Sequence, residues 1–177
     1  MSDVSEHMVT PGDLVHVVAN LRQRDRDEIF ALRWNNDEQE LLNQLVVVIG
    51  DLWRVWRYQR EPVAICGVLP QRPGVVSAAC FGTDKWRHVI RPMTTWGMNW
   101  LIPVLQDAGF HRGEAHVSAT NEQSKRWLAS IGAYKEAYLH QYGRNREDYI
   151  LYAWRLTDVF QGRWRGRWTA DADLQDV

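Results

Sequence analysis

Residues 74–156 decide the fold, and they open with the apolar stretch GVVSAACF at positions 74–81. A Gly-Thr-Asp turn and a long Trp-rich amphipathic stretch follow, and then the short strand-like segment GEAHV at 113–117. The segment NEQSKRWLASIGA at 121–133 begins with a helix-capping Asn, and the aromatic run DYILYAWRL at 148–156 completes the region. This succession predicts a mixed α/β architecture, because a strand–helix–strand crossover places its helix on one face of a sheet.

The preceding residues predict helices first and strands afterwards. The turn TPGD at 10–13 leads into a helix whose apolar residues keep helical spacing, namely Leu14, Val17, Val18 and Leu21. Further helical stretches lie at 25–34 and at 38–49, and the second is capped by residues 35–37. Aromatic and β-branched runs separated by turns indicate three antiparallel strands at 52–58, 63–69 and 75–81.

The Trp-rich helix is expected to begin near Arg91, because Pro92 is tolerated in a first helical turn, and to kink at Pro103. Asn121 is expected to begin the next helix and Gly132 to end it. The remaining strands are predicted at 114–118, 134–139 and 149–156. The fold class is therefore α/β, with a mixed, mostly antiparallel central sheet flanked by helices in one domain at 1–156.

Composition excludes several classes of protein. The chain has 177 residues, of which 45% are hydrophobic and 24% are charged, so a single folded domain with its own core is expected. Its net charge of −1 gives no field that would attract nucleic acid or an anionic membrane. The apolar runs are too short to span a bilayer, and the N-terminal residues lack a signal-peptide pattern. We therefore expect a cytoplasmic protein without a membrane or nucleic-acid partner.

The chain has two cysteines, Cys66 and Cys80, and both lie in strand-like apolar runs. A bridge between them requires adjacent strands that align the two residues. In a reducing cytoplasm, two buried free thiols are expected instead. No Cys or His spacing indicates a zinc site.

Residues 9–156 resemble a domain of the GNAT N-acetyltransferase family. The segment VTPGDLVHVVANL at 9–21 is similar to the opening strand and helix of many members, and NEQSKRWLASIGA is similar to the family's Asn-initiated helix. A narrower resemblance joins FGTDKWRHVIRPM at 81–93, the Trp-rich helix and residues 119–145 to an acetyltransferase-like group of tailed-bacteriophage proteins. That group includes the small internal virion proteins of podoviruses.

The resemblance implies acetyl-CoA as cofactor and direct attack on it by an amine, which would be a small molecule, a protein lysine or a protein N-terminus. It places the phosphate-binding loop between Gly82 and Pro92. The segment WRHVIRPM in this loop has no glycine, whereas the family's loop uses glycines for close backbone approach. The implied cofactor-binding residues are Phe81, Gly82, Lys85, Arg87, His88, Arg91, Asn121 and Ser124. Asn121 is explained equally well as a helix N-cap.

The catalytic residues implied by the resemblance are less complete. Leu128 stands seven residues after Asn121, where many members place a Tyr, and leucine has no proton to donate. Tyr134, Tyr138 and Tyr142 are alternative donors, and Tyr138 is the candidate. The candidate bases are Glu28, in the helix that borders the substrate groove, and His116, whose neutral imidazole suits a base near pH 7. A His in a strand and a Glu in an amphipathic helix are also ordinary structural residues.

Residues 157–177 form an Arg- and Trp-rich tail with an acidic end. Phe160, Trp164 and Trp168 recur at four-residue spacing, so the tail is expected to mediate homo-oligomerisation or to bind a protein partner. Two functions stay open at this point. One is a phage-encoded, acetyl-CoA-dependent N-acetyltransferase in the host cytoplasm. The other is a GNAT-like scaffold without catalysis, serving as a phage structural or host-interaction protein and located in the virion.

Overall fold

A computed structural model describes residues 3–159. Its centre is a seven-stranded sheet with the spatial order β1-β2-β3-β4-β5-β7-β6. The strands are β1 (Val4–Met8), β2 (Trp53–Tyr58), β3 (Glu61–Arg72), β4 (Val75–Gly82), β5 (Arg112–Ser118), β6 (Tyr134–Leu139) and β7 (Tyr149–Arg155). The tail predicted at 157–177 lies outside the described residues from position 160 onward.

Neighbouring strands are antiparallel except for β4 and β5, which are parallel. That parallel pairing covers only Val75–Ser77 against Arg112–Glu114. Beyond these residues, β4 and β5 are not hydrogen-bonded to each other. The mixed, mostly antiparallel sheet predicted from the sequence is confirmed. The sheet is divided at one point, where β4 and β5 separate.

Helices flank the sheet on both faces. They are α1 (Pro11–Ala19), α2 (Gln23–Ala31), α3 (Glu38–Val48), α4 (Ile90–Trp96), α5 (Ile102–Asp107), α6 (Glu122–Ser130) and α7 (Leu156–Val159). The predicted caps hold: Thr10 and Asp13 form a capping box before α1, and the Asp37 side chain accepts from Gln39 N and Glu40 N. Gly132 follows α6 with φ 91°, a conformation that favours glycine.

Two cores lie on the two faces of the sheet. The first contains Leu14, Val17, Val18, Phe30, Leu41, Val55, Ile65 and Phe81, which join α1, α2 and α3 to the central strands. The second is larger and contains Trp56, Val76, Trp86, Val89, Met93, Leu105, Val117, Leu128, Ile150 and Trp154, which join α4, α5 and α6 to the sheet. Most of the chain's Trp residues are therefore packing bulk.

The crossover between β4 and β5 differs from the single kinked helix predicted from Arg91. A 3-10 turn (Asp84–His88) precedes α4, and a π turn (Gly97–Leu101) separates α4 from α5. Pro103 lies in the first turn of α5, where it has no N–H to donate to the carbonyl of residue 99. A π turn, closed by Ile102 N donating to Gly97 O, lies immediately before this missing bond.

The expectation of free thiols is wrong. Cys66 on β3 and Cys80 on β4 are direct cross-strand partners with Cα atoms 4.2 Å apart, and they form a disulfide. This separation lies just below the usual range for disulfides, and the alignment required of the two strands is present. The sequence could not reveal it because the register of β3 against β4 was not known.

β1 was not predicted at its observed position, because the family resemblance placed the opening strand within residues 9–21 and β1 ends at Met8. Its residues other than Val4 are exposed and carry no alternating pattern. β3 extends to Arg72, beyond the predicted end at Leu69, and stays paired with β4 through an irregularity between Pro70 and Arg72. Among residues 3–159, no helix combines the length and apolarity that a bilayer crossing requires.

Because of the disulfide, we predict that a reductant lowers the stability of the folded protein. Reduction should lower the free energy of unfolding by about 2–3 kcal/mol, because the bridge restricts the unfolded chain. For a domain of this size, the thermal midpoint should fall by roughly 5–10 °C. The control is the Cys66→Ser, Cys80→Ser double variant, whose midpoint should not respond to reductant. Equal responses of the two proteins would contradict the assignment.

Candidate active site

The candidate site lies where β4 and β5 separate, and α2 crosses this opening. Asp25 and Glu28 stand one helical turn apart on α2, and each accepts a backbone hydrogen bond from the end of one strand. The Gly82 N–H at the end of β4 donates to Asp25 Oδ2 over 2.8 Å, and the Ser118 N–H at the end of β5 donates to Glu28 Oε1 over 2.7 Å. The two carboxylates therefore fix α2 across the ends of the separated strands.

Backbone contacts hold the two ends of α2. Arg22 N donates to Gly82 O over 2.9 Å, and the Arg22 guanidinium lies 2.8 Å from the Asp25 carboxylate. At the other end, the Tyr149 hydroxyl donates to Glu28 O over 2.9 Å, and Arg144 N donates to Ala31 O over 2.7 Å. Because both ends are fixed to the sheet and its loops, the position of Glu28 is set by several independent bonds.

A cleft of about 520 Å³ opens beside these contacts, between α2, the end of β5 and the start of α6. Its walls carry both signs of charge and few apolar groups. The lining residues are Arg24, Asp27, Glu28, Ala31, Ser118, Thr120, Asn121, Glu122, Gln123, Arg126, Glu147 and Tyr149. Its size lies within the usual range for small-molecule sites. Glu28 and Asn121, which were both predicted as site residues, therefore line the same cleft.

Burial raises the pKa of Glu28 above its ordinary value, and the hydrogen bond from Ser118 N and the Asn121 amide act in the opposite direction. The nearby Asp25 carboxylate adds to the elevation. Burial likewise raises the pKa of Asp25, against the attraction of Arg22. A carboxylate with an elevated pKa that lines a cleft is a candidate acid–base group.

His116, the alternative base, lies on β5 two residues before Ser118 and therefore on the same face of the sheet. Its ring stacks on Tyr142 with 5.3 Å between centroids, and Tyr142 in turn lies 5.6 Å from the Tyr149 ring. Burial lowers the pKa of His116, which favours neutral imidazole, and Glu114 opposes this. The two candidate bases thus occupy one region, but His116 does not line the cleft.

Tyr138, the candidate acid, is placed elsewhere. It is an exposed residue of the edge strand β6, and its hydroxyl donates to Asp148 Oδ2 over 3.0 Å. This bond raises the pKa of Tyr138. The residue does not line the cleft that contains Glu28, so no geometry in the structure supports an acid role for it.

Asn121 begins α6 as the predicted N-cap, and its Oδ1 accepts from Ser124 N over 3.1 Å. The residue is 8% exposed, and its buried Nδ2 has no hydrogen-bond partner within residues 3–159. The amide nevertheless lies close enough to Glu28 to lower the pKa of that carboxyl group. Leu128 is buried in the second core, so its position supplies packing and no proton donor. Beside it, Trp127 Nε1 donates to Thr94 Oγ1 over 3.0 Å and ties α6 to α4.

The predicted phosphate-binding residues lie around the 3-10 turn and the start of α4. Some of them contact other side chains, whereas others are exposed to solvent. Lys85 pairs with Glu61, and His88 stacks on Tyr58 with 4.1 Å between ring centroids. Arg87 and Arg91 are exposed, and neither pairs with a carboxylate in the described part of the chain. Among the six predicted positions here, Phe81 packs in the first core and Gly82 is bonded to α2 through both its N–H and its carbonyl.

Several site residues were not found from the sequence. Asp25 was predicted only as the start of a helix with an acidic first turn, and Arg22, Arg24, Arg126 and Glu147 were not singled out. One signal was available: Asp25 and Glu28 are three residues apart, so the two acids lie on one face of a helix. Within residues 3–159, no three His, Cys, Asp or Glu side chains are grouped so as to hold a metal ion.

Comparison with solved structures gives a consistent result for the fold. An N-acetyltransferase from Staphylococcus aureus Mu50 superposes with a TM-score of 0.65 at 13% identity, over 86% of this chain and 98% of the other. A GNAT-family acetyltransferase from Bacillus anthracis gives 0.63 at 14% identity, over 88% and 96%. This chain has the GNAT fold.

A third GNAT-fold neighbour, YncA from Salmonella typhimurium, was solved with its cofactor acetyl-CoA. It gives a TM-score of 0.62 at 16% identity, over 87% of this chain and 94% of the other. At such identities the likeness establishes the fold alone. Neither protein-family models nor curated proteins match the sequence. The bacteriophage resemblance therefore stays a prediction.

The raised pKa of Glu28 predicts a pH-dependent stability difference from Glu28→Gln. The folded-state pKa lies above the unfolded value of 4.5, so the stabilising contribution is fully present below pH 4.5 and is lost as pH rises through the folded pKa. The variant should therefore gain stability relative to the wild type as pH rises, by about 1.4 kcal/mol for each unit of elevation. Urea denaturation of both proteins from about pH 4 to about pH 8 measures this difference. A difference that does not change with pH would contradict the elevated pKa.

Proposed function

We propose that this protein is an acetyl-CoA-dependent N-acetyltransferase in which Glu28 receives a proton from the acceptor amine. One observation carries the proposal: a half-buried carboxylate with an elevated pKa lines a cleft at the separated strands of a GNAT fold. Perturbed carboxylates in clefts are frequent acid–base groups in enzymes.

The proton transfer suits the placement of Glu28. An amine that is protonated in water must lose a proton before its nitrogen can attack, and the carboxylate is the acceptor in the cleft. Its Oε1 accepts the hydrogen bond from Ser118 N, and its Oε2 would accept the proton of the amine. Elevation of the Glu28 pKa makes its carboxylate a stronger base near neutral pH.

Acetyl-CoA would supply the activated acetyl thioester: the deprotonated amine nitrogen would bond to the acetyl carbonyl carbon, the C–S bond would break, and CoA would leave as the thiolate, which would take up the second proton lost by the nitrogen through solvent. The buried Nδ2 of Asn121 fits this cofactor, because it is a donor without a full hydrogen bond in the described structure, and it would hold the amide-rich arm together with Ser124. Arg87 and Arg91 would hold the phosphates through charge. These charge contacts would replace the close approach of the backbone to phosphate that glycines allow. The segment 86–93 contains no glycine.

Cofactor binding should depend on the two exposed arginines. Isothermal titration with acetyl-CoA is expected to give binding in roughly the micromolar range. The double variant Arg87→Glu, Arg91→Glu should weaken it about 100-fold or more, since each charged hydrogen bond contributes about 1.5–3 kcal/mol. The matched control is Arg60→Glu, Lys135→Glu, which makes the same charge change elsewhere. Equal affinities of the two folded double variants would place the phosphate site elsewhere, and no binding by the wild type would reject the cofactor.

Catalysis should depend on Glu28 in its deprotonated form. Glu28→Gln should lower kcat/KM by about 10²- to 10⁴-fold, the usual effect of losing a general base. In the wild type, the rate should fall as pH drops through the elevated pKa of Glu28. The comparison variant is His116→Gln, which removes the alternative base from the same region. A large loss in His116→Gln with little loss in Glu28→Gln would transfer the role to His116.

A second candidate is a GNAT-like scaffold without catalysis, acting as a structural or host-interaction protein of a phage. It is favoured by the apolar side chain of Leu128, which occupies the position where many members carry a proton-donating Tyr. The tail at 157–177 would then bind a protein partner or further copies of the chain. Acetyl-CoA binding together with release of CoA in the presence of an amine would reject this candidate.

A further inference from the structure

The cleft carries charged groups of both signs. Two arginines, Arg24 of α2 and Arg126 of α6, line it together with four carboxylates, namely those of Asp27, Glu28, Glu122 and Glu147. A ligand that neutralises both kinds of group needs a positive and a negative end.

The two arginines of the cleft have no partner in the described structure. Among residues 3–159, neither Arg24 nor Arg126 makes a hydrogen bond or an ion pair, although acidic residues stand near both along the same helices. Asp27 instead accepts from Gln23 over 2.7 Å, and Glu122 pairs with Lys125. Arg24 acts only electrostatically, lowering the pKa of the buried Asp25. Both guanidinium groups are thus free to bind an anion.

Two further features of the α6 wall favour an anionic group. Asn121 is 8% exposed, and its Nδ2 carries two N–H donors without a hydrogen-bond partner among residues 3–159, so one can serve the cofactor and the other the acceptor. The nine-residue helix α6 also begins at the cleft, so its positive end faces the same space. A carboxylate matches the planar fork of an arginine better than a single point charge does.

We propose that the acceptor is a zwitterion, an amine that also carries a carboxylate, such as a free α-amino acid. This rests on the proposed function, because Glu28 receives the amine end while Arg126 and Arg24 bind the carboxylate end. A polyamine is the competing acceptor, because Asp27, Glu122 and Glu147 also line the cleft, but it would leave the two arginines without an anionic partner. The cleft of about 520 Å³ readily holds a molecule of this size.

The test compares each amino acid with its own decarboxylated amine, using the full chain and acetyl-CoA. Suitable pairs are methionine with 3-(methylthio)propylamine, phenylalanine with phenethylamine, and lysine with cadaverine. Spermidine serves as the polycation. Release of CoA thiol should show kcat/KM about 10- to 100-fold higher for an amino acid than for its amine, as one charged hydrogen-bonded pair provides. Equal rates, or preference for the amines or spermidine, would overturn the proposal.

Two variants connect the preference to the cleft. Arg24→Met and Arg126→Met keep most of the side-chain volume, and they should raise KM for the amino acid about tenfold more than KM for its decarboxylated amine. Lys135→Met, at an exposed cation of β6 outside the cleft, should change neither substrate. A loss that is equal for both members of a pair would contradict carboxylate recognition.

Failure of the transferase reaction can be separated from failure of this proposal. If acetyl-CoA binds but no amine releases CoA, the proposed function fails. Binding of the same pairs to the full chain is then measured by saturation-transfer NMR. Binding of the amino acid that Arg126→Met weakens would support the zwitterion site, and absence of amino-acid binding would overturn it.

Discussion

The need to pair buried backbone N–H groups governs the arrangement of this molecule. β4 and β5 pair over three residues and then separate, so the amides of their distal ends lose the partners that a continuous sheet would provide. An unpaired buried N–H costs about 1–3 kcal/mol. Asp25 and Glu28 meet this need at Gly82 and Ser118. The position of α2, and with it the cleft, follows from these two bonds.

The same arrangement connects the cofactor side of the fold to the acceptor side. The Arg22 guanidinium lies 4.1 Å from the centre of the Trp86 ring, and it also pairs with Asp25. Trp86 belongs to the 3-10 turn that also contains the exposed Arg87 and that precedes Arg91. A contiguous chain of contacts therefore runs from the proposed phosphate-binding turn, through Arg22 and Asp25, to the helix that carries Glu28. Displacement of that turn would be felt at α2, because the buried Asp25 has no alternative cation within bonding distance in the described residues.

Local chemistry made much of the fold predictable. Helical spacing and caps fixed α1, α3 and α6, since Thr10, Asp37 and Asn121 act locally, and alternating or apolar runs fixed β2, β4 and β7. Features that depend on distant partners were not predictable: the Cys66–Cys80 bond needs strand register, and the π turn before Pro103 needs the packing of α4 against the sheet. Glu28 was found through family resemblance, whereas Asp25 was not, because its partner Gly82 is 57 residues away in sequence.

The charge of the Glu28 side chain is the feature that distinguishes a catalytic role from a purely structural role at this position. A glutamine in its place could accept the same hydrogen bond from Ser118 N, and it would avoid the free-energy cost of burying a charge. Asp25 has a compensating cation in Arg22, so its charge is explained by structure. Glu28 has no ion-pair partner within residues 3–159, and burial raises its pKa instead. A scaffold could fill the structural role of Glu28 with glutamine, whereas the proposed proton acceptor needs the carboxyl group.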